Sequence, residues 1–63
     1  MLKNSVHTKR KAAGLTQEDL AVAIGVTRQT IIAIEKGNYV PSVLLALKIA
    51  QCFKVELEEV FYI

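Results

Sequence analysis

The stretch that most constrains this chain is Gln17–Lys36, QEDLAVAIGVTRQTIIAIEK. Leu20, Ala21 and Ile24 recur at helical spacing in its first half, and Ile31 and Ile34 fall on one face of a second helix. Only Gly25-Val26-Thr27 separates the two. Glycine takes up positive φ without a Cβ clash, so Gly25 can end the first helix. Val26 is apolar and can plug the corner between the axes. Thr27 is a favoured N-cap for the second helix, which runs from about Arg28 to Lys36 and stops at Gly37. Ala21 is small enough to let that second helix cross close above it.

Two helices joined by a tight, glycine-containing turn of about 3–4 residues form a helix-turn-helix. Here it occupies about residues 16–36, and it predicts a small DNA-binding regulator whose remaining residues hold the pair rigid. Asn4 or Ser5 can cap a first helix that reaches about Ala13 and ends at Gly14, with Leu15 packing back. Thr16 caps the second helix, with Asp19 three residues on as a short capping-box partner. After the loop Asn38-Tyr39-Val40-Pro41, Ser42 caps a fourth helix from Val43 to about Phe53. Its inner stripe is Leu45, Ile49 and Phe53, flanked by Ala46 and Ala50. Lys54 is expected at its C-terminal turn, and Glu56–Phe61 as a short fifth helix with Leu57, Val60 and Phe61 inward. No β alternation is sustained. The expectation is an all-α, compact five-helix fold in which residues 1–63 form one domain.

With 63 residues, a chain buries only roughly 60 % of its unfolded surface, so modest stability is expected. No apolar run approaches the roughly 18–20 residues of a membrane span, and MLKNSVHTKRK lacks a signal-peptide core, so a cytoplasmic location is expected. One cysteine, Cys52, excludes an internal disulfide and a cysteine-cluster metal site. No His/Cys/Asp/Glu set has metal-ligand spacing, no nucleophile motif or phosphate-cradling loop is present, and neither an enzyme nor a cofactor is expected. His7 reads as a solvated side chain, Cys52 as a packed thiol, and Glu56, Glu58 and Glu59 as surface charge near a helix N-terminus. The net charge of +2 is unevenly spread: residues 1–40 carry six basic and three acidic side chains, residues 41–63 two and three. The helix-turn-helix half is the half suited to phosphates.

The sequence resembles the Cro/C1-type (XRE-family) helix-turn-helix repressors, in particular their minimal single-domain members. The resemblance rests on Arg10, GLTQEDLA at 14–21, IGVTRQTI at 24–31, AIEKG at 33–37, PSVLLALKIA at 41–50 and VELEEVF at 55–61. It implies a lambda-repressor-like DNA-binding domain of five helices, with the helix-turn-helix at the second and third, that usually binds operators as a dimer. It also implies a phosphate contact at Gln17 and an ion pair between Arg10 and Glu35, which would tie the first helix to the third.

In this motif the N-terminal part of the second helix of the pair enters the major groove. Its exposed side chains are then Arg28, Gln29, Ile32 and Ala33. Arg28 suits guanine O6 and N7, Gln29 suits adenine N6 and N7, and Ile32 and Ala33 offer methyl contacts to thymine. Thr27 and backbone amides near Asn38 are candidates for phosphate, as are Lys36, Tyr39 and Lys9. Val40, Leu44, Leu47, Val55, Tyr62 and Ile63 exceed what the inner face needs and read as a subunit interface. A twofold dimer would set two recognition helices about 34 Å apart on a near-palindromic operator, with repression as the expected outcome. The rival reading is an antitoxin-like or bridging module that uses the same fold, and that apolar cluster, to hold another protein.

Overall fold

The computed structural model describes residues 2–63. Five helices follow one another: α1 (Val6–Ala12), α2 (Gln17–Ile24), α3 (Arg28–Glu35), α4 (Val43–Phe53) and α5 (Leu57–Val60). Two-residue strands β1 (Lys3–Asn4) and β2 (Phe61–Tyr62) bracket them and pair antiparallel, Lys3 opposite Tyr62 and Asn4 opposite Phe61.

Each helix end has a local cause. Thr16, Thr27 and Ser42 accept from the amides of Asp19, Thr30 and Leu45 through their side-chain oxygens. At the opposite ends, the chain leaves α1, α2, α3 and α4 through one residue of positive φ: Gly14, Gly25, Gly37 and Lys54. Each donates its amide three residues back, and its successor donates five back, as in Val26 N–H to Ala21 O at 3.0 Å and Val55 N–H to Ala50 O at 3.1 Å. This double bond is the Schellman closure. The successors Leu15, Val26 and Val55 are apolar and half-buried, and Val26 and Val55 pack against the core, so the closures of α2 and α4 are also clipped from inside. The successor at α3 is Asn38, which is exposed.

The core is built from Val6, Leu20, Ala21, Ile24, Ile31, Ile34, Ala46, Ile49, Ala50, Val60 and Phe61. Ala21 is buried, and α2 packs against α3. On α4 the inner face differs from the expected stripe. Ala46, Ile49 and Ala50 are buried, whereas Leu45 and Phe53 are half-buried, so small residues bring this helix close and the larger ones flank it.

Two boundaries and one cap differ from expectation. The expected fifth helix at 56–61 is one turn, because Phe61 turns extended and pairs with Asn4. The third helix closes at Glu35, with Lys36 as its cap. Neither Asn4 nor Ser5 caps α1 through the usual pattern. Asn4 Oδ1 accepts from the Val6 amide at 3.1 Å, while the Ser5 hydroxyl donates to Glu59 O at 2.7 Å.

Candidate nucleic-acid interface

The face of interest is the outer side of α3 and the N-terminus of α2. With Ile31 and Ile34 buried, the first turn of α3 presents Arg28 and Gln29 to solvent. Ile32 and Ala33 lie further along and are half-buried. The Thr27 side chain that opens the helix also lies 3.2 Å from the Thr30 hydroxyl, so Arg28 and Gln29 stand on a closed first turn.

A network of polar side chains braces the far end of α3. Arg10 Nε donates to Glu35 Oε2 at 2.7 Å, with the two side chains only 8 % and 7 % exposed. Arg10 Nη1 donates to Leu15 O at 2.8 Å and Gln17 Nε2 to Glu35 Oε1 at 3.2 Å. Every buried side-chain N or O atom among the described residues has a partner. Burial works to raise the Glu35 pKa. The hydrogen bonds from Arg10 and Gln17 and the charges of Arg10 and His7 outweigh it, so this carboxyl lies below the usual glutamate range. The network joins α1, the start of α2 and the end of α3.

At the start of α2 the Thr16 amide donates to Asp19 Oδ2 at 2.9 Å, and the Asp19 amide to Thr16 Oγ1 at 3.0 Å. That capping box holds the Asp19 carboxyl below its ordinary value, chiefly through the Thr16 amide. Gln17 is the first helical residue, directly after Thr16. Its amide nitrogen carries two hydrogens, and one bond to Glu35 leaves the other available.

The remaining expected phosphate partners come from three separate segments. Lys36 caps α3 and is exposed, Tyr39 is exposed in the following loop, and Lys9 is half-buried on α1. The expectation of phosphate contacts from backbone amides near Asn38 is narrowed at two positions. The Gly37 and Asn38 amides are both used inside the α3 closure, on Ile34 O and Ala33 O at 3.0 and 2.9 Å. What Asn38 offers outward is its exposed side chain.

The apolar cluster lies on α4 and the C-terminal segment. Leu44, Leu47, Tyr62 and Ile63 are exposed, Ile63 at 94 %. Val55 is half-buried against the core, so it lies at the floor of this surface rather than standing out from it. Leu44, Leu47, Val55 and Leu57 line an open groove of about 390 Å³ flanked by Lys48 and Glu56. Two features escaped the sequence reading. Val22 is 71 % exposed on the outer side of α2. Asn4 also donates through Nδ2 to Ile34 O at 2.9 Å, thirty residues away, and no local pattern could reveal that. Among the described residues no group of three His, Cys, Asp or Glu could hold a metal ion, and no helix is long and apolar enough to cross a membrane.

Comparison with known proteins agrees with this geometry. The profile of a helix-turn-helix family matches residues 6–60. The chain is 53 % identical over 62 residues to YgzD of Bacillus subtilis, described as an uncharacterized HTH-type transcriptional regulator, covering 98 % of this chain and 94 % of YgzD. It is 57 % identical over 60 residues to another protein so described, from Methanocaldococcus jannaschii, covering 95 % and 91 %. Among solved structures, the restriction-modification controller protein C.AhdI of Aeromonas hydrophila superposes with a TM-score of 0.80 at 33 % identity, over 86 % of this chain and 82 % of that one. A Bacteroides fragilis protein shares the fold with a TM-score of 0.89 at 21 % identity, over 98 % and 100 %.

Proposed function

This chain belongs to the Cro/C1-type helix-turn-helix family of transcriptional regulators, and we propose that it reads a specific DNA sequence and represses transcription from it. The observation that carries this reading is the state of α3. Its first turn presents Arg28 and Gln29 to solvent, while its inner face is buried and its last turn is braced by Arg10, Gln17 and Asn4. A rigid rod with a guanidinium and an amide at its free end matches the donor and acceptor pattern of the major groove. Arg28 pairs with a guanine edge and Gln29 with an adenine edge, and Ile32 and Ala33 meet thymine methyls. Gln17, Thr27, Lys36, Asn38, Tyr39 and Lys9 hold phosphates, which set register and carry no base information.

Two copies bind together on a near-palindrome, with the Leu44, Leu47, Tyr62 and Ile63 surface between them and Val55 at its floor. The exposure of that apolar surface supports this part of the reading. The protein works in the cytoplasm, without a cofactor, on double-stranded DNA.

The test begins with duplexes selected from a random library by the wild-type protein, each then changed one base pair at a time. Arg28→Ala should flatten the preference at one position per half-site, a loss of about 1–3 kcal/mol of discrimination. Gln17→Ala should weaken all duplexes alike, and Lys36→Ala should lower the slope of log affinity against log salt by about one. Equal loss of preference in the Arg28 and Gln17 variants would overturn the division of labour.

A further inference from the structure

We propose that Asn4 is a positioning residue of the DNA interface, setting the pose of α3 from the end opposite Arg28. The inference rests on the base-reading role proposed above and assigns that role a further determinant. Four helices end in the same doubly bonded closure; two of those closures are clipped by an apolar residue packed on the core, Val26 or Val55, and a third is followed by the half-buried, apolar Leu15. The closure of α3 ends in exposed Asn38 and lacks that clip. In its place, Asn4 Nδ2 donates to Ile34 O at 2.9 Å, the same carbonyl that accepts from the Gly37 amide at 3.0 Å. Among the described residues, α3 is the only one of these four helices whose terminal carbonyls accept from a side chain of another element.

The grip differs in kind from the Arg10–Glu35 pair. That pair holds α3 through a glutamate side chain with rotatable bonds between the grip and the helix. Asn4 holds the main chain itself, and its own main chain is fixed by pairing with Phe61, while its Oδ1 accepts from the Val6 amide. The tail of α3 is therefore tied to α1 and to the terminal ribbon through one residue. Six residues separate Ile34 from Arg28, about 9 Å of helix. A tilt of about 10° at Ile34 would carry the Arg28 backbone about 1.5 Å sideways. Hydrogen bonds to base edges need donor–acceptor distances within about 2.7–3.2 Å, so such a shift would remove them. Phosphate attraction, which is long-range, would survive it.

The experiment uses the full chain as wild type, Asn4→Ser and Asn4→Asp. Serine can still accept from the Val6 amide but cannot reach Ile34; aspartate keeps the acceptor in place and replaces the donor by a carboxylate oxygen that repels the Ile34 carbonyl. Each protein is titrated with the duplex selected by the wild type, with its single-base-pair variants and with an unrelated duplex, below its unfolding midpoint. The expected result for Asn4→Ser is a discrimination ratio lower by roughly three- to tenfold, with affinity for the unrelated duplex within about twofold of wild type. A purely structural role would lower the unfolding midpoint and leave the ratio unchanged, and that result overturns the proposal. If Asn4→Ser does not fold, Asn4→Asp is judged by the same ratio, normalised to the unrelated duplex to remove its added charge. If neither folds, Asn4 is a determinant of the fold and the positioning role is overturned. A wild-type protein that discriminates beside an equally discriminating folded variant defeats this inference alone, whereas a wild type with no preference defeats the base-reading proposal and this inference with it.

Discussion

Glu35 carries a charge with almost no water around it, and two groups make that tolerable: Arg10 at 2.7 Å and Gln17 at 3.2 Å. Removing one partner of such a pair leaves the other buried and unmatched, at a cost of about 3–5 kcal/mol. A chain of this length has a total stability of only about 3–9 kcal/mol. Arg10→Met alone should therefore lose a large part of that stability, whereas Arg10→Met with Glu35→Leu should recover much of the loss, as read in a double-mutant cycle of these two substitutions by urea unfolding. The same carboxyl fixes a pH dependence. Its pKa is lower folded than unfolded, so its stabilisation is complete above the ordinary glutamate value and is lost as pH falls through the depressed one. Unfolding free energies measured down a pH series should fall in that acid window for the wild type and fall less for the Arg10→Met/Glu35→Leu variant. The Arg10–Glu35 contact was legible in the sequence through family resemblance. The Gln17 and Asn4 contacts were not, because they depend on which residues tertiary packing brings to the end of α3.

At the scale of the elements, the helix ends show how much a local rule decides. Gly25 sits at φ 78°, and a Cβ built there meets nothing within 4 Å. Gly25→Ala should therefore cost about 1–2 kcal/mol through backbone strain alone. Lys54 occupies the equivalent place after α4 at φ 58°, so Lys54→Gly should raise stability by about 0.5–1 kcal/mol. Thermal melts of the two variants check both signs, and a shift of the same sign in both would contradict the reading. The helices α2 and α3 could be read from caps, glycines and apolar spacing, α4 from its cap and apolar spacing, and α1 chiefly from the glycine that ends it, with ends shifted by a residue or so. The β1–β2 ribbon could not. Two residues are too few to show alternation, and Phe61 reads equally well as the last inward residue of α5.

Across the whole molecule, the first turn of α3 exposes polar side chains, while α4 exposes Val43, Leu44 and Leu47 and the C-terminal segment Tyr62 and Ile63. The apolar surplus was visible in the sequence, but not that Val55 is already partly covered by the core. Leu47→Glu should leave the monomer folded, since Leu47 is 46 % exposed, and should weaken binding to a two-half-site duplex far more than to a single half-site. Sedimentation with and without DNA checks it, and equal weakening on both duplexes would argue against a paired binding mode. The central claim is that α3 reads bases through Arg28. Its most direct measurement is selection from a random duplex library with the wild type and with Arg28→Ala in parallel. The wild type should enrich a near-palindromic site with a fixed guanine in each half, and the variant should lose that guanine and keep the rest. Identical enriched sites from the two proteins, or none from the wild type, would contradict it.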